Sequence, residues 1–323
     1  MIDRRRLVAL GASFALAPFA SRPAFAEAWP KRPVRIIVPY APGGATDVVT
    51  RIVADWLSRA WGQQAVVENK PGAGTNLAAA LVAGSDPDGY TIFTGTPSLA
   101  TTRLLYRSLP YSLSDLAPVS TLCTFPLLML APPSSPAKTI PEFIAFAKQN
   151  KGSVTYASPG VGTTPHLAGE LFKRMAGIEM THVPYRGDAP GLTDTIAGRI
   201  NLQIGGSAML EQVRSGQVRG LAVTTAQRSP LAPELASVAE AGFPDFDVGG
   251  FFGFFVPAKT PRAIIDKIQA DTVAAVHDPA VKAKFDKIAI VAFGSTPEEL
   301  AAVLKAETEK WTPVIREAKI SLD

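Results

Sequence analysis

The stretch VRIIVPYAPGGATD, residues 34–47, decides the fold of this chain. Its apolar run Val34–Tyr40 is short and rich in β-branched residues, which predicts a buried strand. A Pro-Gly-Gly turn follows, and apolar residues then recur at helical spacing over Asp47–Trp61, with Gly62 placed to end that helix in the left-handed conformation. Strand, glycine loop and helix in this order are typical of an α/β protein with mainly parallel strands.

The same pattern repeats along the chain. Further strands are predicted at Ala65–Asn69, Tyr90–Thr94, Val154–Ala157, Met180–Tyr185, Ile200–Ile204 and Val218–Thr224. Two other apolar runs, Phe125–Pro133 and Gly249–Pro257, indicate that the chain crosses twice between two lobes. We therefore predict lobe 1 from residues 27–125 plus 248–323 and lobe 2 from residues 126–247, each a mainly parallel sheet flanked by helices.

The N-terminus has the features of a secretory signal peptide. Three arginines at residues 4–6 precede the apolar run Leu7–Phe19, and Ala24-Phe25-Ala26 is a small-residue cleavage site. The apolar run is shorter than the roughly 20 residues that a membrane-spanning helix needs. We predict export with cleavage after Ala26, and an uncleaved anchor is the alternative. The arginines are compatible with either a general secretory or a twin-arginine signal.

Composition and charge exclude several classes of protein. The 323 residues are 47% hydrophobic and 19% charged, which suits a globular protein and excludes a disordered chain. The 32 basic and 28 acidic residues give a net charge of +4. Removal of residues 1–26 takes away four arginines and one aspartate and leaves about +1, so no nucleic-acid partner is predicted. One cysteine and three histidines predict neither a disulfide within the chain nor a metal site.

Loops rich in glycine, serine and threonine follow most of the predicted strands. In parallel α/β sheets such loops line the crevice at the carboxyl ends of the strands, where ligands bind. Glycine permits close approach of the backbone, and the helix that follows presents unpaired N–H groups, so the loops together form an anion site. Tight turns are the alternative explanation for any one loop. The residues predicted to bind the ligand are Tyr40, Pro42, Gly43, Gly44, Asp47, Gly72, Ala73, Gly74, Thr75, Thr96, Ser98, Ser158, Gly160, Gly162, Thr163, Thr164, His166, Tyr185, Arg186, Gly187, Asp188, Gly206 and Ser207.

Three of these residues have a second interpretation. Asp47 is placed to cap N–H groups and to brace the Gly43-Gly44 loop, in preference to a catalytic role. His166, at the start of a helix, either holds its own loop or hydrogen-bonds the ligand, and the first role is the commoner one. Arg186 either pairs with a carboxylate or phosphate through two hydrogen bonds or is solvated.

Known enzyme motifs are each incomplete. Gly72–Leu77 follows a strand as a dinucleotide-binding loop would, but Leu77 stands where the third glycine or alanine belongs. Gly205–Met209 is similar to a nucleophile elbow, but Met209 replaces its closing glycine. No Gly-Lys-Ser or Gly-Lys-Thr occurs, so there is no P-loop. We therefore predict a protein without a cofactor that is not an enzyme.

Short motifs follow one another in order across nearly the whole mature chain. They are Trp29-Pro30, Arg35–Tyr40, Pro42-Gly43-Gly44 with Asp47, Val67–Gly74, Pro87–Thr91, Leu109-Pro110-Tyr111, Tyr156-Ala157-Ser158, His166–Phe172, His182–Gly187, Leu221–Thr225 and Gly294–Glu299. No single motif is specific, but the ordered set is. By this set the chain resembles the solute-binding proteins of tripartite tricarboxylate transporters, the Bug-type or TctC-like family.

The resemblance implies a two-lobed periplasmic binding protein of the Venus flytrap type. Such a protein closes on a small carboxylated solute and delivers it to membrane permease subunits, and a monomer is expected. In this family the ligand carboxylates are held largely by backbone amides, hydroxyls and bridging waters. The Tyr40–Gly44 and Gly72–Thr75 loops would contribute from lobe 1, and the Ser158–Thr164 and Tyr185–Asp188 loops from lobe 2.

One departure from the family bears on the ligand. Many relatives carry Asp or Asn just after the strand where this chain has Gly205-Gly206. An acidic side chain there would receive a ligand amino group, so its absence favours a plain carboxylic acid over an amino acid.

Two other functions stay open, and the sequence does not identify the carboxylate. One is a secreted serine hydrolase that uses Ser207 or Ser158 with His166. The other is a solute sensor that presents its closed form to a signalling receptor, which would need the same closure as a carrier.

Overall fold

The computed structural model describes residues 29–322, so the predicted signal peptide and its cleavage after Ala26 lie outside the described residues. Strands occur at the predicted apolar runs, with ends shifted by at most two residues except in β4, which begins at Leu116 and not at Phe125; β10 is not among the predicted strands. Their bounds are β1 (Val34–Val38), β2 (Ala65–Asn69), β3 (Thr91–Gly95), β4 (Leu116–Ala131), β5 (Thr155–Ser158), β6 (Thr181–Pro184), β7 (Leu202–Gly206), β8 (Arg219–Val223), β9 (Gly249–Pro257) and β10 (Val291–Ala292).

Several helices begin or end at residues that the sequence marks. Thr296 and Glu299 form a capping box at the start of the C-terminal helix. Thr139 accepts a hydrogen bond from the Glu142 N–H at 3.3 Å, and Gly62 ends the first helix with a φ of 62°. The helices are α1 (Ala45–Trp61), α2 (Asn76–Ala83), α3 (Ser98–Leu105), α4 (Ile140–Gln149), α5 (Thr164–Ala176), α6 (Asp188–Ile196), α7 (Leu210–Arg214), α8 (Arg262–His277), α9 (Pro279–Asp286) and α10 (Pro297–Glu317).

The strands form one hydrogen-bonded path in the order β2-β1-β3-β9-β4-β7-β5-β6, and β8 and β10 pair with β4 beside it. The long strand β4 is shared between two halves of this path. Its residues 116–126 pair with β9, whereas its residues 127–131 pair with β7 and β8. The chain therefore passes from the first half to the second within a single strand.

Each half contains parallel strands that are bordered by antiparallel ones. β1 pairs in parallel with β2 and β3, and β5 pairs in parallel with β6 and β7. β4 and β9 run antiparallel to their neighbours, so the sheet is mixed where the halves join. The predicted α/β class is confirmed. The parallel strands in each half end at a common edge, where their loops meet.

Separate hydrophobic clusters fill the two halves. Ile36 and Phe254 are buried in the first half, in a cluster that includes residues of α1, α8 and α9. Phe143 and Phe172 are buried in the second half, in a cluster with residues of α4 and α5. Within residues 29–322 none of the helices is both long and apolar enough to cross a membrane.

The C-terminal helix α10 packs against both halves. Near its start, Leu300 joins Phe93 and Phe255 of the first half. Near its end, Trp311 is fully buried in the same cluster as Phe143, in the second half. The predicted division assigns all of residues 248–323 to lobe 1, whereas this helix contributes apolar surface to both halves.

Candidate functional site

The loop after β1, residues 40–44, is braced by Asp47. Asp47 Oδ2 accepts a hydrogen bond from the Gly43 N–H, and Oδ1 accepts one from the Asn69 side chain, each at 2.9 Å. Arg51 forms an ion pair with the same carboxylate at 2.9 Å. Burial raises the pKa of Asp47, but the hydrogen bonds from these three groups outweigh it and hold the pKa below its ordinary value. The carboxylate is therefore engaged within the protein and holds the loop in place.

The loop after β2 contains strained backbone. Ala73, Gly74 and Thr75 have φ values of 47°, 59° and 87°. Only glycine adopts the left-handed region without strain, so the alanine and the threonine are held there by their surroundings. Thr75 Oγ1 and Asn76 Nδ2 are buried and lack a hydrogen-bond partner among the described residues. Strain and unpaired polar atoms in one loop are typical of a ligand site.

Tyr40, Thr96 and Ser98 lie together, just after the ends of β1 and β3. Burial raises the pKa of the Tyr40 phenol, and the charge of Asp188 acts in the same direction, so the phenol is neutral and can donate a hydrogen bond. Thr96 Oγ1 is buried and has no partner in the described part of the chain. Because Asp188 belongs to the second half, the two halves of the molecule face each other here.

The loop after β5 is closed by its own hydrogen bonds. Ser158 Oγ lies 2.7 Å from His182 Nε2 and accepts a hydrogen bond from the Gly160 N–H at 3.2 Å. The Thr163 hydroxyl donates to the Gly160 carbonyl at 2.7 Å, and the Gly162 N–H donates to His166 Nδ1 at 3.0 Å. The loop therefore has a defined shape before any ligand binds.

His166 is buried at the start of α5, where its Nδ1 is the acceptor for the Gly162 N–H. It therefore holds its own loop, which is the commoner of its two predicted roles. The Ser158 hydroxyl contacts His182 and not His166, so the pairing predicted for a hydrolase is not formed. In the part of the chain that the structure describes, Ser207 is buried and has no histidine bonded to its hydroxyl.

Asp188 occupies the space beside Gly205 and Gly206. Its Oδ2 accepts a hydrogen bond from the Gly206 N–H at 3.2 Å. A Cβ atom at Gly205 would collide with Oδ1, and one at Gly206 would lie 3.3 Å from Oδ2. No acidic residue directly follows β7, as the sequence shows, but α6 supplies a carboxyl group at that place, so the absence of an acid there in the sequence does not count against an amino-acid ligand. Burial raises the pKa of Asp188 to about 6.

The loop after β6 packs against the loop after β5. The Gly187 N–H donates to the Pro159 carbonyl at 3.1 Å. The Tyr185 hydroxyl donates to Asp194 at 2.7 Å, so it is directed along α6. Arg186 is exposed and forms no ion pair with the residues described. The structure thus leaves both predicted roles of Arg186 open.

The remaining predicted residues lie at the same edges of the sheet. Pro42 and Gly44 are exposed in the loop after β1. Gly72 has a φ of 143° and precedes the strained turn. Thr164 is buried at the first position of α5, and Ser207 begins the short 3₁₀ helix Ser207–Met209 after β7.

Two residues that shape these loops are not among those predicted. Asn69, the last residue of β2, donates to the Tyr40 carbonyl at 2.9 Å in addition to its contact with Asp47. His182 in β6 holds Ser158. Both lie within the family motifs, but only the strand pairing shows what they contact.

Two surface cavities lie outside these loops, and the second adjoins the loop after β2, where the Tyr106 side chain lies against Gly74. One, of about 390 Å³, lies between α1 and β2, and the other, of about 190 Å³, lies around residues 103–112. None of the predicted ligand-binding residues lines either cavity. Over residues 29–322 there is no group of three His, Cys, Asp or Glu side chains placed to hold a metal ion.

Comparisons with known proteins agree with this architecture. The UPF0065 protein in the tcbD-tcbE intergenic region of Pseudomonas sp. (strain P51) is 36% identical over 323 residues, which cover 99% of this chain and 96% of that protein. Protein BugT of Bordetella pertussis is 33% identical over 322 residues, which cover 98% of each chain.

Two solved structures are also similar. R. palustris Rpa4515 with adipate has a TM-score of 0.85 and 35% identity, covering 91% of this chain and all of that one. MatC (Rpa3494) from Rhodopseudomonas palustris with bound malate has a TM-score of 0.79 and 29% identity, covering 88% of this chain and 99% of that one. The likeness confirms the predicted two-lobed architecture.

A model of the TctC family, described as the tripartite tricarboxylate transporter family receptor, matches residues 49–320. The match spans most of the described chain, and the Bug-named relative covers nearly all of it. This chain therefore belongs to the TctC family, the Bug-type solute-binding receptors of tripartite tricarboxylate transporters.

Proposed function

We propose that this protein is an extracytoplasmic carrier that captures a small carboxylate between its lobes and delivers it to a tripartite tricarboxylate-type permease. One observation carries the proposal. The N-cap residues Gly44, Thr163 and Gly187, which begin α1, α5 and α6, make no side-chain capping hydrogen bond. The first N–H groups of these helices are therefore available to an anion, and the helix dipole favours a negative charge there.

Three helices far from the loops differ in this respect, whereas α8, which is also far from them, begins after Pro261 without a side-chain cap. Thr139, Asp278 and Thr296 each cap their helix, α4, α9 and α10, through a side-chain oxygen. At α1, α5 and α6 the uncapped starts lie in the strand-end loops that hold the other predicted binding residues, and this position supports a ligand as their partner. The unpaired hydroxyls of Thr75 and Thr96 follow β2 and β3, the two strands that flank β1, and would add neutral donors.

The charge balance supports an anion held mainly by neutral groups. Among the predicted ligand-binding residues, Arg186 is the one permanent cation, and it is exposed. Backbone N–H groups and hydroxyls would therefore supply most of the contacts. The structures with adipate and malate belong to similar proteins, which supports a mono- or dicarboxylate as the solute class.

The division into lobes and the export of the chain belong to the same proposal. Residues 27–125 plus 248–323 form lobe 1 and residues 126–247 form lobe 2, with α10 packed on both. The protein is exported by the signal peptide 1–26 and acts as a periplasmic monomer. It closes on its solute and presents the closed form to permease subunits.

A thermal-unfolding screen of the mature protein tests the solute class. Adipate, malate and succinate are compared with uncharged diols of matched length. An acid present at about 100 times its dissociation constant should add roughly 2.7 kcal/mol to the free energy of unfolding. If a diol raises the midpoint and no acid does, the carboxylate assignment is wrong.

Recovery of membrane partners tests the carrier role. Mature protein carrying an affinity tag is loaded with the acid that raises its midpoint and is crosslinked to detergent-extracted membranes. Permease subunits are expected in the eluate, at a level that depends on the acid. Recovery of a signalling receptor in their place would support the sensor function and contradict delivery to a permease.

A further inference from the structure

Asp188 presents an unpaired oxygen at the place where the two halves face each other. Its Oδ2 is engaged by the Gly206 N–H, but Oδ1 is buried and has no hydrogen-bond partner among residues 29–322. Buried polar atoms without a partner are uncommon, because they lose their hydration and gain no bond in return. Oδ1 therefore points to a bonding group that the protein itself does not supply.

The elements packed against this carboxyl group carry no charge that would neutralise it. The end of β7 contacts Asp188 through Gly205 and Gly206, and the Met209 side chain also lies beside Gly205; none of the three titrates near neutral pH. Across the cleft the titratable neighbour is Tyr40, whose phenol is kept neutral by burial. Within the described residues Asp188 forms no ion pair.

Charged groups on α6 and in the loop before it are directed elsewhere. Asp194 is bonded to Arg199 at 2.8 Å and to the Tyr185 hydroxyl at 2.7 Å. Arg186 is exposed, two residues before Asp188. Burial accordingly raises the pKa of Asp188 to about 6, and its single backbone hydrogen bond does not offset this.

A carboxylate ligand between the lobes would bring a second negative charge to this group. Two carboxyl groups at hydrogen-bonding distance away from water do not both stay ionised, and they share one proton. We infer that Asp188 is a specificity-determining residue of the cleft, whose Oδ1 binds a carboxyl group of the solute through one proton taken from solvent. This role rests on the proposed carboxylate-binding function.

A shared proton couples affinity to pH. Free Asp188 is ionised above about pH 6, so each acid that binds there takes up one proton. The dissociation constant should then fall about tenfold for each unit by which the pH is lowered between about 8 and 7. A solute ammonium group would instead be attracted by the ionised carboxylate, and its affinity would weaken as the pH falls.

Calorimetry on the mature protein measures this proton directly. Adipate, malate and succinate are titrated at about pH 7.5, where they are ionised, in two buffers of different ionisation enthalpy. The difference in heat gives the protons taken up per bound acid, which should be close to one for the wild type. Asp188→Asn offers an amide N–H in place of the shared proton, so it should bind at least as tightly and take up none.

A matched control removes a carboxylate that lies outside the cleft. Glu211→Gln changes an exposed side chain on α7 and should leave the uptake close to one. The wild-type measurement stands by itself, so the test does not depend on the folding of any variant. Circular dichroism verifies that Asp188→Asn is folded.

The outcomes separate this role from the proposed function. Binding of an acid to the wild type without proton uptake overturns the role of Asp188 and leaves a carboxylate carrier standing. The role of Asp188 is likewise overturned, and the carrier function left standing, if folded Asp188→Asn still takes up a proton on binding or if it no longer binds the acid. If none of the acids binds the wild type, the carboxylate function fails and the role of Asp188 fails with it.

Discussion

The imidazole rings of His166 and His182 stack with their centroids 4.0 Å apart and their planes at 22°. One ring comes from the start of α5 and the other from β6, so the contact joins helix and strand beside the loop that follows β5. Burial lowers the pKa of His166 to about 4, and burial together with the neighbouring imidazole lowers that of His182 to about 3. Both rings are therefore neutral at neutral pH.

We expect the His166 ring to make the protein less stable in acid. A histidine in the unfolded chain titrates near about pH 6.5, above the folded value, so the unfolded state binds more protons at lower pH. The stabilisation from His166 is fully present above about pH 6.5 and is lost as the pH falls toward about 4. His166→Asn keeps an acceptor for the Gly162 N–H and does not titrate. Between about pH 7 and 4.5 the variant should lose less stability than the wild type, by on the order of 2 kcal/mol in urea unfolding.

A control for this prediction uses a histidine elsewhere. His277→Asn changes an exposed ring and should keep the wild-type pH dependence. The raised pKa of Asp188 has the opposite effect on stability. Its charged form is disfavoured in the folded state above about pH 6, so its contribution to the free energy of unfolding rises as the pH falls. That contribution is common to both proteins and cancels in the comparison. If wild type and His166→Asn lose the same free energy of unfolding over this pH range, the effect assigned to the His166 ring is refuted.

Gly205→Ala should be destabilising because of Asp188. The added methyl group collides with the Asp188 carboxyl group and with the Met209 side chain. We expect a loss of about 1–3 kcal/mol in the free energy of unfolding, measured with urea. Gly206→Ala, whose Cβ meets Oδ2 at 3.3 Å, should cost less.

A double-mutant cycle identifies the source of that loss. Asp188→Ala removes the carboxyl group, so Gly205→Ala should be less costly in that background by at least about 1 kcal/mol. Additive effects of the two substitutions would show that the clash with Met209, and not the carboxyl group, makes glycine necessary.

At position 75 a glycine variant should be more stable than an alanine variant, which is the reverse of the usual order of stability. Its φ of 87° is unfavourable for any residue with a Cβ atom. Thr75→Gly should therefore be more stable than Thr75→Ala by about 1 kcal/mol in urea unfolding, although glycine has the more flexible unfolded chain. Both variants lack the hydroxyl and should bind the solute more weakly than the wild type. A more stable alanine variant would show that this backbone relaxes freely.

Asp47→Ala should weaken both the loop and the binding of the solute. The substitution leaves the Gly43 N–H and the Asn69 amide without their acceptor, and we expect a loss of about 1–3 kcal/mol in stability. Affinity for the acid should fall at least about tenfold in calorimetry, because the loop after β1 is no longer held.

The matched control lies on the same helix. Asp55→Ala removes an exposed carboxylate that pairs with Arg59 and should change stability by less than about 1 kcal/mol. Equal effects of the two substitutions would mean that Asp47 acts through general helix electrostatics and not through the loop.

Local features of this fold could be predicted because they depend on residues a few positions apart. Apolar runs mark the strands, and Thr296 with Glu299 marks the start of α10 by a hydrogen-bond pattern that spans three residues. The brace from Asp47 to Gly43 is equally local, since it spans four residues. Such contacts form within one turn, whatever the rest of the chain does.

Contacts across the sheet could not be predicted in this way. His166 and His182 looked unrelated because they are 16 positions apart and belong to different elements. They meet because β5 and β6 are parallel neighbours, with Tyr156 in register with His182. The strand order decides that register, and a single sequence does not contain it.

The sequence by itself determined the alternation of strand, glycine loop and helix, and hence that the loops gather at strand ends where an anion can bind. Only the tertiary structure decided which side chains face one another there. It places the Asp188 carboxyl group beside Gly205, although no acidic residue directly follows β7 in the sequence. The reason is physical: a side chain fills whatever space its neighbours in three dimensions leave, and a glycine 17 positions away leaves that space.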